Sequence, residues 1–186
     1  MSGIAGIVYF NSKSPSRELI SNIKEKLSVR GPDRQQEWVE DNCALIHTML
    51  WTTPESLTET LPYHDPISEL VITADARIDN RIELANRLGI SSCELRDASD
   101  SRLILMSFKK WGKDCPKYLI GDFAFAIWNN KTKELFCARD HMSVKPFFYY
   151  INDDFFIFAS EIKALLCEVE IAVSYTHLTL PTNREV

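Results

Sequence analysis

The sequence predicts a layered α+β fold, and three features carry that prediction. DFAFAIWN (122–129) reads as a strand with two apolar faces: Phe123, Phe125 and Ile127 on one, Ala124, Ala126 and Trp128 on the other. Such a strand is covered on both sides, and large residues opposite mostly small ones suit a sheet packed closely against a second layer. It heads a series of four strand-like runs, followed by ELFCARD, PFFYYIN and DFFIFAS. Amphipathic helical segments precede them and can supply the outer cover.

Taken in order, SGIAGIVYF reads as a first strand, with small residues on one side and Ile4 and Val8 on the other. A helix follows, with Ser14 as its cap, Pro15 in its first position, and Leu19, Ile23 and Leu27 recurring every four residues. VRGPDRQ is a turn-rich loop, and WVEDNCALIHTML holds one or two short strands. LVITADARI reads as a strand ending at Asp75. RIELANRLG reads as a short helix stopped by Gly89. In SDSRLILMSFKKWG a helix capped by Ser99 turns Leu103, Met106 and Trp111 inward, and Lys109 and Lys110 suit the negative end of its dipole. NNKTK joins the first two of the later strands as a hairpin turn.

Bulk properties exclude several classes. A chain of 186 residues suits one domain that buries most of its surface, and 45% hydrophobic with 25% charged residues is ordinary for a globular protein. A net charge of -5 argues against a nucleic-acid or anionic-membrane surface, which needs clustered Lys and Arg. No apolar run reaches the length of a membrane span, and the start lacks the basic region of a secretory signal, so the expected location is cytoplasmic. Five scattered cysteines without a C-x-x-C pair read as reduced thiols, and four scattered histidines give no metal spacing. From about residue 173 the chain loses all periodicity. SYTHLTLPTNREV is similar to translated adaptor sequence, so residues 173–186 are expected to be non-native or a disordered tail, leaving 1–172 as the domain.

M-x-G-I-A-G-I at the start, RGPD at Arg30–Asp33, FAFAIW at Phe123–Trp128, LFCARDHMSVKPFFY and FASEIKALL come in one order from residue 1 to about 168. Together they resemble the N-terminal glutamine amidotransferase domain of asparagine synthetases. The resemblance implies the N-terminal-nucleophile (Ntn) hydrolase fold of glutamine amidotransferase type 2, a four-layer αββα sandwich of two antiparallel sheets. It also implies that the residue after Met1 is the nucleophile, normally cysteine. Removal of Met1 frees its α-amine as general base, and the glutamine side chain is cleaved to release ammonia. Here that residue is Ser2, whose hydroxyl is far less acidic than a thiol and depends more on the base and the oxyanion hole.

The resemblance assigns four further duties, and the sequence departs from most of them. The arginine that holds the glutamine carboxylate is Met49, which cannot form a charge pair; losing one such partner costs about 2–5 kcal/mol of binding. The oxyanion-hole asparagine and glycine are Asp75 and Ala76; deleting an oxyanion donor costs about 2.7–4 kcal/mol, and an anion there should be worse. The glutamate that holds the substrate amine is Arg77, with reversed charge. Asp100 alone matches the pattern and could bind an ammonium group. Structural alternatives stand beside each: Met49 as a core residue, Asp75 and Arg77 as a local ion pair, Asp100 as a helix-start residue, and Arg139 as an ion-paired strand end.

The resemblance further implies a C-terminal synthetase domain, absent from these residues, that would use ATP and Mg. The chain has no Gly-Gly pair for a pyrophosphate loop, so no cofactor is expected in this fragment. HTMLWTTPES and TADARIDN look more like lasso-peptide isopeptide cyclases, whose nitrogen nucleophile comes from the substrate itself. The expected partners are therefore the missing synthetase domain and either glutamine or a precursor peptide. Three readings follow: a glutaminase using Ser2, an inactive amidotransferase-like domain serving a ligase, or a peptide-binding module.

Overall fold

A computed structural model of the chain describes residues 1–52, 57 and 59–168. The tail at 173–186 lies outside them. The described elements run β1 (Gly3–Tyr9), α1 (Arg17–Leu27), β2 (Arg34–Glu40), β3 (Cys43–Met49), β4 (Tyr63–Asp65), β5 (Leu70–Ile78), α2 (Arg81–Leu88), α3 (Ser92–Asp97), α4 (Asp100–Trp111), a 3₁₀ turn (Gly112–Tyr118), β6 (Gly121–Asn129), β7 (Glu134–Arg139), β8 (Phe148–Ile151), β9 (Phe155–Ala159) and α5 (Ile162–Leu165). The chain divides into two compact units, one of residues 1–50 with the chain from 146 onward, the other of residues 51–145.

The first unit is a five-stranded antiparallel sheet in the order β2-β3-β1-β9-β8. Its centre is β1, whose seven residues are all buried. One sheet face, with Ala5, Ile7, Ala44, Ile46 and Ile157, packs against Leu19, Ile20, Ile23 and Leu27 of α1 and Ala164 and Leu165 of α5. Each such large apolar side chain contributes about 1.5–3 kcal/mol by leaving water. The cap of α1 is Ser16 rather than Ser14, because the Leu19 N–H reaches the Ser16 hydroxyl at 3.1 Å; Pro15 therefore precedes the cap instead of opening the helix. WVEDNCALIHTML resolves into the end of β2 and all of β3, joined at Asp41 with φ of 49°.

The second unit is a four-stranded antiparallel sheet, β4-β5-β6-β7, with helices α2 to α4. Both faces of β6 are buried, Phe123 to Trp128 without a break, as its doubly apolar pattern requires. Phe108 of α4 meets Phe136 of β7 at 5.2 Å between ring centroids, and Phe136 meets Phe125 of β6 at 6.1 Å, so the large-residue face lies under the helix. The strand β5 does not stop at Asp75: its pairing with β6 continues to Ile78 opposite Gly121. Close approach makes this possible, since a Cβ on Gly121 (φ 146°) would lie 2.0 Å from the Arg77 carbonyl oxygen. Gly89 ends α2 in the left-handed conformation, as its position in the sequence predicts. On α4 the inward set is Leu103, Ile104 and Leu105; Met106 is half-buried, and Trp111 instead stacks on Tyr118 at 4.2 Å.

Both sheets are antiparallel and both units carry helices, which is the α+β class the sequence predicts. Among the described residues no helix is long and apolar enough to cross a membrane. None of the five cysteines forms a disulfide: Cys43 and Cys115 are buried, Cys137 and Cys167 half-buried, and Cys93 exposed.

Candidate active site

Ser2 stands at the head of β1, nine-tenths buried. Its hydroxyl accepts the Leu50 N–H at 3.1 Å and points its own proton at the Met49 sulfur, 3.8 Å away. A thioether is a weak acceptor and no base, so Met49 can orient this hydroxyl but cannot deprotonate it. Met49 is buried, in keeping with its alternative reading as a core residue. The end of β3 that carries it is fixed from two sides. The Thr48 hydroxyl donates to the carbonyls of Gly3 and Leu27 at 3.3 Å each, and the Asp33 N–H donates to the Met49 carbonyl at 3.1 Å.

The RGPD turn explains itself here. A Cβ on Gly31 would lie 2.1 Å from the Thr48 carbonyl oxygen, so only glycine lets the turn pass across β3. Its neighbour Arg30 then donates from Nε to the Ser2 carbonyl at 3.2 Å, with Nη1 3.6 Å from Glu161. Two residues before Met49, burial lowers the pKa of His47 to about 3, so this imidazole is neutral at pH 7.

In the second unit β5 carries the other site positions. Asp75 is buried and accepts from the Lys145 ammonium at 2.9 Å; both side chains are largely shielded from water. The chain just before Lys145 is wound around Asp140, whose carboxylate accepts the N–H groups of Val144 at 3.0 Å and Lys145 at 3.1 Å. Ala76 continues the ladder opposite Phe123. Arg77 is exposed and pairs with Asp79 at 2.9 Å. The expected Asp75–Arg77 pair is thus replaced by two others, because the long Arg77 side chain reaches outward to Asp79 while Asp75 turns inward to Lys145.

Asp100 is the first residue of α4, the helix-start position of its alternative reading. One carboxylate oxygen accepts the Ile78 N–H at 3.0 Å and the other pairs with Arg81. Arg81 also donates to the carbonyls of Ala98 at 2.6 Å and Leu95 at 3.2 Å. In this arrangement the Asp100 carboxylate ties the end of β5 to the start of α4.

The structure therefore brings Ser2 and Met49 into contact in one unit and sets Asp75, Ala76 and Arg77 along one strand of the other, with Asp100 at that strand's end. Sequence reasoning missed Lys145, Asp140, Arg30 and the Leu50 N–H. Lys145 and Asp140 lie inside LFCARDHMSVKPFFY, but nothing local in that run says that a residue 70 positions earlier receives the ammonium. Among the described residues no group of three or more His, Cys, Asp or Glu could hold a metal ion.

These two antiparallel sheets with their helices have the Ntn-type glutamine amidotransferase fold. The chain superimposes on glutamine phosphoribosylpyrophosphate amidotransferase from B. subtilis, bound to ADP and GMP, with a TM-score of 0.66 at 17% identity, over 89% of this chain and 43% of that one. Residues 1–182 match the family described as a glutamine amidotransferase domain, and the chain belongs to that family. It is 32% identical over 173 residues to asparagine synthetase [glutamine-hydrolyzing] 3 of Bacillus subtilis (strain 168), covering 92% of this chain and 28% of the relative. To asparagine synthetase [glutamine-hydrolyzing] 2 of the same organism it is 26% identical over 168 residues, covering 89% and 22% respectively. The chain thus spans less than a third of the length of these relatives.

Proposed function

We propose that this chain is an amidotransferase-type domain that does not hydrolyse glutamine and that serves an ATP- and Mg-dependent, amide-forming ligase region of a longer protein. The observation that carries the reading is the Asp75–Lys145 ion pair at 2.9 Å. By resemblance, position 75 is where an oxyanion-hole donor belongs. An ionised carboxylate only accepts hydrogen bonds, and this one is already engaged by a buried ammonium. The Met49 sulfur against the Ser2 hydroxyl supports the same reading, since nothing in a thioether binds a substrate carboxylate. A ligase that draws its nitrogen from its own substrate, as a lasso-type peptide cyclase does, has no need of released ammonia. Its precursor peptide is then the ligand that this domain would meet.

One observation favours a second reading, a serine-dependent glutaminase: Ser2 keeps a buried place at the strand head, with a backbone N–H donating to its hydroxyl. The relatives' own names describe them as glutamine-hydrolysing. Ammonia release from glutamine by the purified protein, with Ser2→Ala and Ser2→Cys alongside, separates the two. The expected result is no turnover above background in any of the three. Turnover that disappears in Ser2→Ala overturns the proposal and makes the domain an ammonia source.

A further inference from the structure

We infer that the outer edge of β2 is an interface between two copies of this chain. Two β2 strands pair antiparallel about a twofold axis through Glu37 and join two five-stranded sheets into one. The inference concerns assembly and does not rest on the loss of glutamine hydrolysis.

The sheet orders leave β2, β8, β4 and β7 with one side unpaired among the described residues. Such an edge is a template for another strand unless it is short or otherwise blocked. Here β4 has three residues and β8 four, whereas β2 has seven, none of them proline, laddered to β3 without a break from Arg34 to Glu40. The helix α1 does not cover this edge. A groove of about 580 Å³ is lined by Ile20 and Lys24 of α1 and by Glu37 and Val39 of β2, and Val39 is 44% exposed.

Symmetry selects the occupant. A twofold axis perpendicular to a sheet leaves each strand's two faces where they are, so facing residues must lie an even number of positions apart. An axis through Glu37 sets Arg34 opposite the partner's Glu40 and Glu40 opposite the partner's Arg34. Opposite charges directly across a ladder attract, so both ends of the paired strands are complementary. On the same face Gln36 meets the partner's Trp38; on the other, Gln35 meets the partner's Val39 and covers it. The single like-charge meeting is Glu37 on the partner's Glu37 at the axis, and Lys24 lies 2.9 Å from that carboxylate. The other edges lack this complementarity. In β7 the charged ends Glu134 and Arg139 lie an odd number of positions apart, so they point to opposite faces, and β8 carries no charge.

The test is the mass of the full chain by sedimentation equilibrium over a wide range of concentration. It should rise from 21.4 kDa toward twice that value. Arg34→Glu and Glu40→Arg each set like charges across both ends and should weaken association by roughly tenfold. The double variant exchanges the two charges and should restore it to within about threefold. Circular dichroism reports separately on folding. Register is read by Glu37→Cys, made with Cys93→Ser to remove the exposed native thiol. Only a residue on the axis faces its own copy, so oxidation in air should link the Glu37→Cys protein into a covalent dimer and leave Gln35→Cys unlinked. A monomer at every concentration overturns the inference. So does a dimer that neither charge reversal weakens, or one that the exchange fails to restore, and so does equal linkage at positions 35 and 37. If a charge reversal does not fold, the linkage decides.

Discussion

The two units differ in how much charge they place around the candidate site positions. Around Ser2 the bonds run largely through backbone groups and neutral side chains, the Leu50 N–H, the Thr48 hydroxyl and the Met49 sulfur, with the Arg30 guanidinium on the Ser2 carbonyl as a charged donor. Around β5 and α4 the bonds run through ion pairs: Asp75 with Lys145, Asp100 with Arg81, Asp65 with Lys109. The difference teaches where sequence change is tolerated. A frame built from backbone groups tolerates substitution of its side chains, so the strand head can seat Ser2 without a charged partner for its hydroxyl. A frame built from side-chain charges changes its chemistry as soon as one residue changes, and here the carboxylates of Asp75 and Asp100 are engaged by Lys145 and Arg81.

Acid should separate the two units most strongly. His47 has a folded pKa of about 3 against 6.5 when free, so the unfolded chain takes up the proton first. Stability is then full above pH 6.5 and falls as the pH drops toward 3, by up to about 5 kcal/mol. Asp65 behaves differently: Lys109, and then the Ser68 hydroxyl, lower its pKa from 3.8 to about 2. Its contribution is complete above 3.8 and is lost only between there and pH 2. With Lys109 two-fifths exposed, screening leaves it at about 1–2 kcal/mol. Urea midpoints between pH 6.5 and 5, where carboxylates hardly titrate, should decline in the unaltered protein and stay flat in His47→Gln. Asp65→Asn should keep the decline. Identical slopes in all three proteins would break the comparison.

The next largest effect falls on the buried pair. Lys145→Ala leaves the Asp75 carboxylate without its ammonium in a place shielded from water, which should cost about 3 kcal/mol in denaturant unfolding. Changing both partners, Asp75→Asn with Lys145→Met, should recover most of that loss, because neither charge remains buried. Arg77→Ala is the control on the same strand. Its pair with Asp79 is exposed, so the loss should stay within about 0.5 kcal/mol. Equal losses for Lys145→Ala and Arg77→Ala would mean that the Asp75 pair has no special standing.

How much of this was legible follows from the range of each interaction. The doubly apolar DFAFAIWN, the four-residue period of α1 and the glycine stop of α2 are local patterns, and each appears where the sequence puts it. The cap of α1 slipped from Ser14 to Ser16 because three small polar or cyclic residues in a row all satisfy the local rule; only the position of the Leu19 N–H chooses between them. The end of β5 was misjudged for a related reason. Charged residues usually close a strand, but the ladder to β6 continues past Asp75 and Arg77 and buries one while exposing the other. At the candidate site, positions 2, 49, 75, 76, 77 and 100 follow from motif resemblance, whereas the partners of their side chains do not. Lys145, Arg81 and Arg30 reach them only through tertiary structure.

The smallest prediction tests the segment that delivers Lys145 to Asp75. Ser143 has φ of 57°, in the left-handed region, where a Cβ crowds the following carbonyl. It is held there by Asp140, whose carbonyl accepts the Ser143 N–H at 3.1 Å while its carboxylate accepts the next two N–H groups. Glycine takes this conformation without steric cost but loses more freedom on folding, so the two effects partly cancel. Ser143→Gly should therefore raise stability by about 0.5 kcal/mol, read from the denaturant midpoint. The gain should persist in Lys145→Ala if the turn is formed by Asp140 alone. If the gain disappears in that background, the Asp75–Lys145 pair itself holds Ser143 in its left-handed conformation, and the ion pair and the turn are one unit.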